Sequence, residues 1–391
     1  MAKGKNSSGR KRSPLLFGIT FRAILIVAAA AMFLSYASVY INPAKFALPL
    51  FFGLYFVPIL AINLLLFILA ALRRSASAWI SVVALLPALL YSELFVKIGH
   101  AEEAHKEGIE LKIETYNVGM FSSSEDGLSR ERCRMEIGKH IAAEAPHIIC
   151  LQEFFAESYT QADTIFSAYP YRHYHLFKAR NGKLFGNIIL SKFPMGEKGR
   201  ISFKGSTNLS IFADIEHYGR TLRVYNNHLE SYNVSFTALA HKFAELLKDN
   251  DGNIIPATEE ERSAAFSELE AARDELTKDI VETHEKMKGT FIRRSEQVER
   301  IIGHINQTQH NTIICGDFND TPMSYTYHTL AKQRKDTFKE AGSGFGATFA
   351  PVWPLLRIDY MLVPDVTQCL NHTILKIPLS DHYPVSAEVI I

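Results

Sequence analysis

Three apolar runs, residues 23–41, 46–72 and 78–96, follow one another almost without a break at the start of the chain. Each is close to the ~20 residues that a helix needs to cross a bilayer, so the first hundred residues read as three membrane spans. A cleaved signal peptide would explain the first run and the basic residues before it (Lys3, Lys5, Arg10, Lys11 and Arg12), but that run exceeds an ordinary signal core and two more follow at once. Basic flanks favour the cytoplasmic side. The tail is basic and Arg73-Arg74 lies between the second and third runs, whereas the first turn has Lys45 and the segment after the third carries Glu102, Glu103 and Glu107. Three crossings then leave the tail inside and the rest of the chain outside, as expected for an integral protein of the bacterial inner (plasma) membrane. Pro49, Pro58 and Asn63 in the second run read as kink and packing features.

After the anchor the composition becomes that of an ordinary soluble domain, giving an expected division into residues 1–100 (basic tail and three-helix anchor) and 101–391. Strands are predicted over 111–116, 147–151, 171–177, 185–190, 209–215 and 222–227, with an amphipathic helix over 129–144. The pairs Asn181-Gly182 and Tyr218-Gly219 mark hairpin turns. This pattern predicts an α/β domain of mixed sheets covered by helices. The net charge of +1 gives no argument for a nucleic-acid surface. Four cysteines without paired spacing exclude a dense disulfide framework and a zinc cluster, and Cys150 and Cys315 read as buried core residues.

A charged helical insertion is expected at about 233–300. Thr258 and Glu261 form a capping box, and Phe266, Leu269, Leu276, Ile280 and Met287 recur at near-heptad spacing. Phe291, Ser295, Val298, Ile302 and Ile305 continue the stripe beyond Gly289, which predicts a helical hairpin laid on the domain surface. A lid or a membrane-contacting flap is the functional alternative.

Chemistry-bearing residues stand where strands end. Asn117 ends one apolar strand and Glu153 another; His228 follows Asn226-Asn227; Asp317 and Asn319 follow Ile313-Ile314-Cys315-Gly316. Asp359 sits in an apolar run, and Asp381-His382 opens the run to Val385. Side chains alternate along an extended chain, so Asp317 and Asn319 can share a face while Phe318 points inward. Strand exits put such groups on a rigid scaffold, although each alone also suits a turn or a cap.

In their order, Tyr116-Asn117, Leu151-Gln152-Glu153, Asn226-Asn227-His228-Leu229, Gly316-Asp317-Phe318-Asn319, Ile358-Asp359-Tyr360 and Ser380-Asp381-His382-Tyr383-Pro384-Val385 resemble the endonuclease/exonuclease/phosphatase superfamily of metal-dependent phosphoesterases. The resemblance spans about residues 110–391. It implies a four-layer sandwich of two mixed sheets flanked by helices, with the site at one end. Asn227 stands where that family usually has threonine. The resemblance further implies Mg2+ (or Mn2+) held by Glu153, Asn117 and Asp381, since hard cations take oxygen ligands. His382 would be oriented by Asp359 for base work or phosphate gripping, Asp317 and Asn319 would position water and transition-state oxygens, and His228 would bind phosphate or protonate the leaving group. Asn187 and Asn226 are weaker substrate-binding candidates.

The leading expectation is a membrane-anchored Mg2+-dependent phosphoesterase acting on a lipid headgroup, a nucleic acid or a small phosphorylated molecule, with no obligate protein partner. The alternatives are a tethered endo- or exonuclease, for which Arg172, His173, Lys178, Arg180 and Lys183 offer a modest basic strip, and an inactive membrane interaction module.

Overall fold

Proline placement decides the shape of the apolar third. The computed structural model describes residues 14–99, 108–122, 127–232 and 259–391, and within these the side chains other than those of 14–17, 259–277 and 280. α1 (Pro14–Ala37) is, among the described residues, the one helix that alone is long and apolar enough to cross a bilayer, over Gly18–Ala37. The second run breaks into α2 (Leu48–Leu54) and α3 (Phe56–Leu72), bent by 75°. Pro58 has no N–H to donate to the Leu54 carbonyl and its ring excludes that oxygen, which accounts for the break. The third run is α4 (Ala78–Leu85), which tightens into a 3-10 helix at Leu86–Leu94 where Pro87 interrupts the ladder, and Ala78–Leu94 falls short of a spanning length. The expectation of three spans is therefore corrected to one spanning helix, one bent pair and one short helix. Hydropathy counted the apolar residues, and the prolines broke the rods.

These helices pack on one another. Asn63 Nδ2 donates to the carbonyls of Ala28 (3.0 Å) and Ile59 (2.9 Å), an inter-helix tie rather than a pathway residue, and Tyr36 Oη donates to Ala84 O at 2.8 Å. Arg73, at the end of α3, lies over the Phe21 ring near the start of α1. At the opposite end of α1, Ser38 Oγ donates to Met323 O at 2.7 Å. There a Cβ on Gly53 would stand 2.2 Å from the same carbonyl, so only glycine lets α2 come this close. Beyond the 3-10 helix, β1 (Val96–Lys97) leads into the second part of the chain.

Two parallel strand pairs organise that part. β2 (Glu110–Asn117) pairs with β3 (Ile148–Ala156) through the crossover helix α5 (Arg130–Glu144), whose N-terminus is capped by Ser129 Oγ accepting from Arg132 N. After α6 (Tyr159–Thr164), the hairpin β4 (Tyr171–Lys178) and β5 (Leu184–Ser191) extends this sheet. β6 (Met195–Ser202), β7 (Leu209–His217) and β8 (Arg220–His228) then form a meander, and β8 runs parallel to β9 (Asn311–Asp317). α8 (Tyr325–Ala331), β10 (Arg334–Asp336), α9 (Thr337–Ala341), β11 (Gly344–Phe345), β12 (Asp359–Pro364), β13 (Gln368–Ile374) and β14 (Val385–Ile390) complete the chain. The sheets run β13-β14-β2-β3-β5-β4 and β10-β12-β9-β8-β7-β6, with β1 paired to β11.

The faces of the two sheets meet over Ile113, Cys150, Ile189, Ile211, Val224, Cys315 and Met361, so both cysteines are core residues with free thiols. α5 covers one sheet through Cys133, Ile137 and Ile141. The other is covered by α7 (Glu259–Ile305), a single 47-residue helix running straight through Gly289 where a hairpin was expected. A parallel β8–β9 pair needs a crossover, and the C-terminal half of α7 supplies it, burying Phe291, Ser295, Val298, Ile301 and Ile305. Thr258 of the expected capping box and the start of the expected insertion at 233–258 lie outside the described residues.

Two stability predictions arise here. Gly316 adopts φ +127°, and a Cβ there would stand 2.0 Å from Asn227 O. Gly316→Ala is expected to cost at least the ~1–3 kcal/mol of backbone strain plus the clash, read as a lowered unfolding midpoint in urea. His372 is buried with Nδ1 2.8 Å from Thr337 Oγ1, and burial first, then the Arg357 charge against the opposing Asp336, pushes its pKa from 6.5 down to about 3. The unfolded chain binds this proton below pH 6.5 and the folded chain does not, so stability present above that pH falls as the solution is acidified towards about 3. Melting midpoints of the detergent-solubilised chain over that range should flatten in His372→Gln.

Candidate active site

The register of three strands sets a row of side chains. His228 at the end of β8 is the partner of Asp317 at the end of β9, and Asp317 in turn is the partner of Asp359 at the start of β12. Asp317 is buried: Oδ1 accepts from Asn319 N (2.8 Å), and Oδ2 accepts from Asn319 Nδ2 (3.1 Å) and Asn117 Nδ2 (3.0 Å). Asn319 holds φ +52° and also donates to Leu229 O at 2.9 Å, which fixes the loop after β9. His382 Nδ1 bonds Asp359 Oδ2 at 2.9 Å, and its Nε2 stands 3.8 Å from Asp317 Oδ2. His228 Nε2 lies 3.6 Å from Glu153 Oε1 and 3.9 Å from Asp317 Oδ2.

Electrostatics follow from this packing. Burial first, and the Asp359 charge with it, raises the Asp317 carboxyl to about 6 against the opposing histidines. Burial alone would lower His382, but the Asp359 and Asp317 carboxylates outweigh it and raise the imidazole to about 10. Ligand-capable atoms of Asp317, Asp359 and His382 all lie within 4.8 Å of one another. Nδ1 of His382 is committed to Asp359 by a hydrogen bond, and Asp317 faces Nε2 as a charge contact at 3.8 Å, so the three read as a proton-handling group. The second oxygen of Asp359 is buried without a hydrogen-bond partner.

The other sheet contributes Asn117 and Glu153. Asn117 closes β2, with Oδ1 accepting from Gly119 N and Nδ2 reaching Glu153 Oε1 at 3.2 Å. Glu153 was expected at a strand exit. It lies instead inside β3, where the register with β5 shifts between Leu151 and Phe154 so that Gln152 and Glu153 oppose Asn187 alone, and its φ is +49°. A bulge of this kind re-aims a side chain, here towards His228. Asp381 is exposed, and Ser380 Oγ links it to Asn117 by donating to Asn117 O at 2.8 Å while lying 3.3 Å from Asp381 Oδ1. Asn117, Glu153, Asp317, Asn319, His228, Asp359 and His382 are thus joined by direct contacts, with Asp381 attached through Ser380.

The weaker pair divides. Asn187 lines a cavity of about 220 Å³ with Glu153, His228, Asn208 and Met120. Asn226 does not face substrate: its Nδ2 donates to Leu151 O (2.8 Å) and Ile188 O (2.9 Å), and its Oδ1 accepts from Gln152 Nε2 (2.7 Å). With donors and acceptor all engaged, it is a strut between the sheets. A larger groove of about 580 Å³, beside α5 and residues 165–169, is lined by none of the site residues. Sequence reasoning missed Thr348, whose Oγ1 accepts from Ile358 N and Asp359 N (both 3.1 Å), and Phe349, whose ring lies edge-on to His382 at 5.2 Å. Neither carries a local signal, because each acts through a strand distant in sequence.

Two mixed sheets with carboxylates, amides and imidazoles gathered at one end define an α/β sandwich of the hydrolytic kind. A sequence model of the "Endonuclease/Exonuclease/phosphatase family" matches residues 115–382, and the chain belongs to that family, whose members are hydrolases acting on phosphate ester bonds and are typically dependent on divalent metal. Residues 18–93 match a second model, described as a domain of unknown function (DUF8431). No curated protein matches the chain. Among solved structures, the endonuclease/exonuclease/phosphatase from Bacteroides vulgatus is 16% identical, covering 72% of this chain and 99% of that one with a TM-score of 0.48. The one from Beutenbergia cavernae DSM 12333 is 15% identical over 72% of each chain, TM-score 0.47, and the human Nocturnin catalytic domain with bound sulfate is 14% identical over 72% and 96%, TM-score 0.46. The assignment rests on the family match.

Proposed function

We propose that this is a Mg2+-dependent phosphoesterase held at a membrane by a unit that ends near residue 100, with residues 101–391 as the hydrolase. The observation that carries it is the contact chain Glu153–Asn117–Asp317, which joins the ends of both sheets at one point. Glu153, Asn117 and Asp381 would hold the cation. Glu153 and Asp381 offer hard carboxylate oxygens, Asn117 would add its Oδ1 by turning over the amide that here points Nδ2 at Glu153 and Asp317, and the surplus of carboxylates over imidazoles at this point suits a divalent charge. The ion, when bound, supplies positive charge to the phosphoryl and leaving oxygens.

The remaining groups have separable work. Asp317, buried and held by two amides, orients the attacking water and takes its proton. Asn319, with its backbone N–H and both amide hydrogens engaged by Asp317 and Leu229 O, holds that carboxylate and the loop in position for the transition-state oxygens. His382, kept charged by Asp359, grips the phosphate, while His228 stands on the Glu153 side to bind it or protonate the leaving oxygen. Arg73 and Arg74 lie at the end of the apolar helices away from the site loops, against the single lysines Lys45 and Lys97 at the other end, and this balance favours a catalytic domain outside the cytoplasm of a bacterial inner membrane. That placement favours a lipid headgroup as substrate over nucleic acid.

The test uses the full chain in detergent with bis-p-nitrophenyl phosphate. Turnover with Mg2+ or Mn2+ is expected, EDTA should abolish it, added Mg2+ should restore it, and Glu153→Ala should lose it by roughly a hundredfold or more. Activity that survives both chelation and Glu153→Ala rejects this site.

A further inference from the structure

Both loops that rim the site are seated on one end of the apolar helices. The loop after β9 sits there through Met323, which receives Ser38 Oγ at 2.7 Å and packs with Met32, Tyr36 and Phe56. The segment from β11 to β12 is tied to the same end: β11 pairs with β1, Gly346 N donates to Phe95 O at 2.8 Å, and Arg357 Nη1 reaches Leu94 O at 3.4 Å. Leu94 and Phe95 close the last apolar helix, so this segment starts and finishes at the boundary where the apolar unit gives way to polar chain.

The segment has two unlike sides. Inward, it carries the site: Phe349 lies against His382, Ala350 N donates to Asp381 O (2.9 Å), and Tyr383 N donates to Thr348 O (2.8 Å). Outward, Phe345, Trp353 and Leu355 are 51%, 39% and 44% exposed, and the Phe345 and Trp353 rings meet edge to face at 5.9 Å. Lys376 Nζ stands 3.8 Å above the Trp353 ring. Aromatic rings with a lysine beside them, seated at the polar end of the apolar helices, have the chemistry of the headgroup layer, where ring bodies sit among acyl carbons and ammonium groups meet phosphate.

We infer that Phe345, Trp353, Leu355 and Lys376 form a foot that rests in the headgroup layer of the bilayer holding α1, and that the site beside it takes the phosphate ester of a lipid in that layer. The substrate half of this inference rests on the phosphoesterase reading above, and the foot on its membrane-anchor half. Tethering beside the layer gives headgroups a high effective concentration at His382, which a diffusing substrate lacks.

The chain has two tryptophans, Trp79 and Trp353, so Trp79→Phe leaves one reporter. That protein is reconstituted into vesicles of phosphatidylcholine, phosphatidylethanolamine, phosphatidylglycerol and phosphatidylinositol. Quenching of Trp353 by lipids brominated near the headgroup, with shielding from aqueous acrylamide, is the expected result; free acrylamide access with no quenching by brominated lipid overturns the foot and leaves this face to a protein partner. In the same vesicles, Trp353→Ser with Leu355→Ser should cut headgroup release, read by phosphorus NMR, at least about tenfold while turnover of bis-p-nitrophenyl phosphate stays within about twofold. Equal losses on both substrates reduce the segment to a prop for His382, and no loss on either overturns its role. Lipid quenching without headgroup release by the unmodified chain overturns the lipid substrate, whereas failure to cleave bis-p-nitrophenyl phosphate as well strikes the phosphoesterase reading and leaves the foot standing.

Discussion

Replacing His382 with glutamine is expected to lower kcat on bis-p-nitrophenyl phosphate roughly a thousandfold, within the range that a positioned acid–base or charged donor contributes. The imidazole bonds Asp359 at 2.9 Å, is buried, and has its free nitrogen 3.8 Å from Asp317, so glutamine keeps a polar group but loses both the charge and the reach. Asp359→Asn should impair the enzyme through the same dyad, and the double variant should be little worse than His382→Gln alone, because groups that act as a unit do not add. Multiplying losses in the double variant would show that the two side chains act independently and would dissolve the dyad as described. Circular dichroism and melting midpoints, measured alongside, separate a lost catalytic group from a lost fold.

Arg294→Met should produce the largest loss of stability. The guanidinium is fully buried in α7, donates from Nε (2.9 Å) and Nη2 (2.6 Å) to Glu230 O, lies over the Tyr232 ring and meets Asp320 Oδ2 at 3.0 Å. The contact with Asp320 misses the angles of a directed hydrogen bond, so it is a charge contact. Methionine fills much of the volume but leaves Asp320 buried and unpaired, a loss of about 3–5 kcal/mol for a broken buried pair. Adding Asp320→Asn to that variant should recover part of the loss, since it removes the stranded charge. A change of the urea midpoint equivalent to less than about 1 kcal/mol would mean that water reaches Asp320 and the pair is not sealed. Activity should fall with stability here, because Asp320 directly follows Asn319 and Glu230 lies two residues beyond His228.

Much of the strand pattern was legible without coordinates because it is local. Apolar alternation marked the central strands, and Asn181-Gly182 and Tyr218-Gly219 marked the turns joining β4 to β5 and β7 to β8. β6 was not found: its sequence, Met-Gly-Glu-Lys-Gly-Arg-Ile-Ser, is that of a charged edge strand with little to bury. The length of the second apolar run was legible and Pro58 was read as a kink or packing feature, but not that the kink reaches 75° and divides the run into two helices. From Met287 onward the stripe in α7 was read as a buried face, and Met287, Phe291, Ser295, Val298 and Ile305 are buried, although Ile302 is half-buried and Ile301 takes its place in the core; its partner could not be read, because the need for a crossover comes from the parallel pairing of β8 with β9.

The residues that gather at the site were nameable from the order of short motifs, since chemistry demands carboxylates, amides and imidazoles and strand ends present them. Their relations were settled only in three dimensions. Asn226 and Asn187 looked equivalent in the sequence; pairing turned one into a strut and left the other at the cavity wall. Glu153 reaches His228 because β3 bulges opposite Asn187, and no local pattern in residues 148–156 records a bulge whose cause is the neighbouring strand. Sequence alone determined which groups this chain can bring to a phosphate and that an apolar block precedes them, because side-chain chemistry and periodicity are carried by the residues themselves. Register, burial and the seating of the site loops on the apolar helices were decided by the tertiary structure, because they are properties of pairs of segments far apart along the chain.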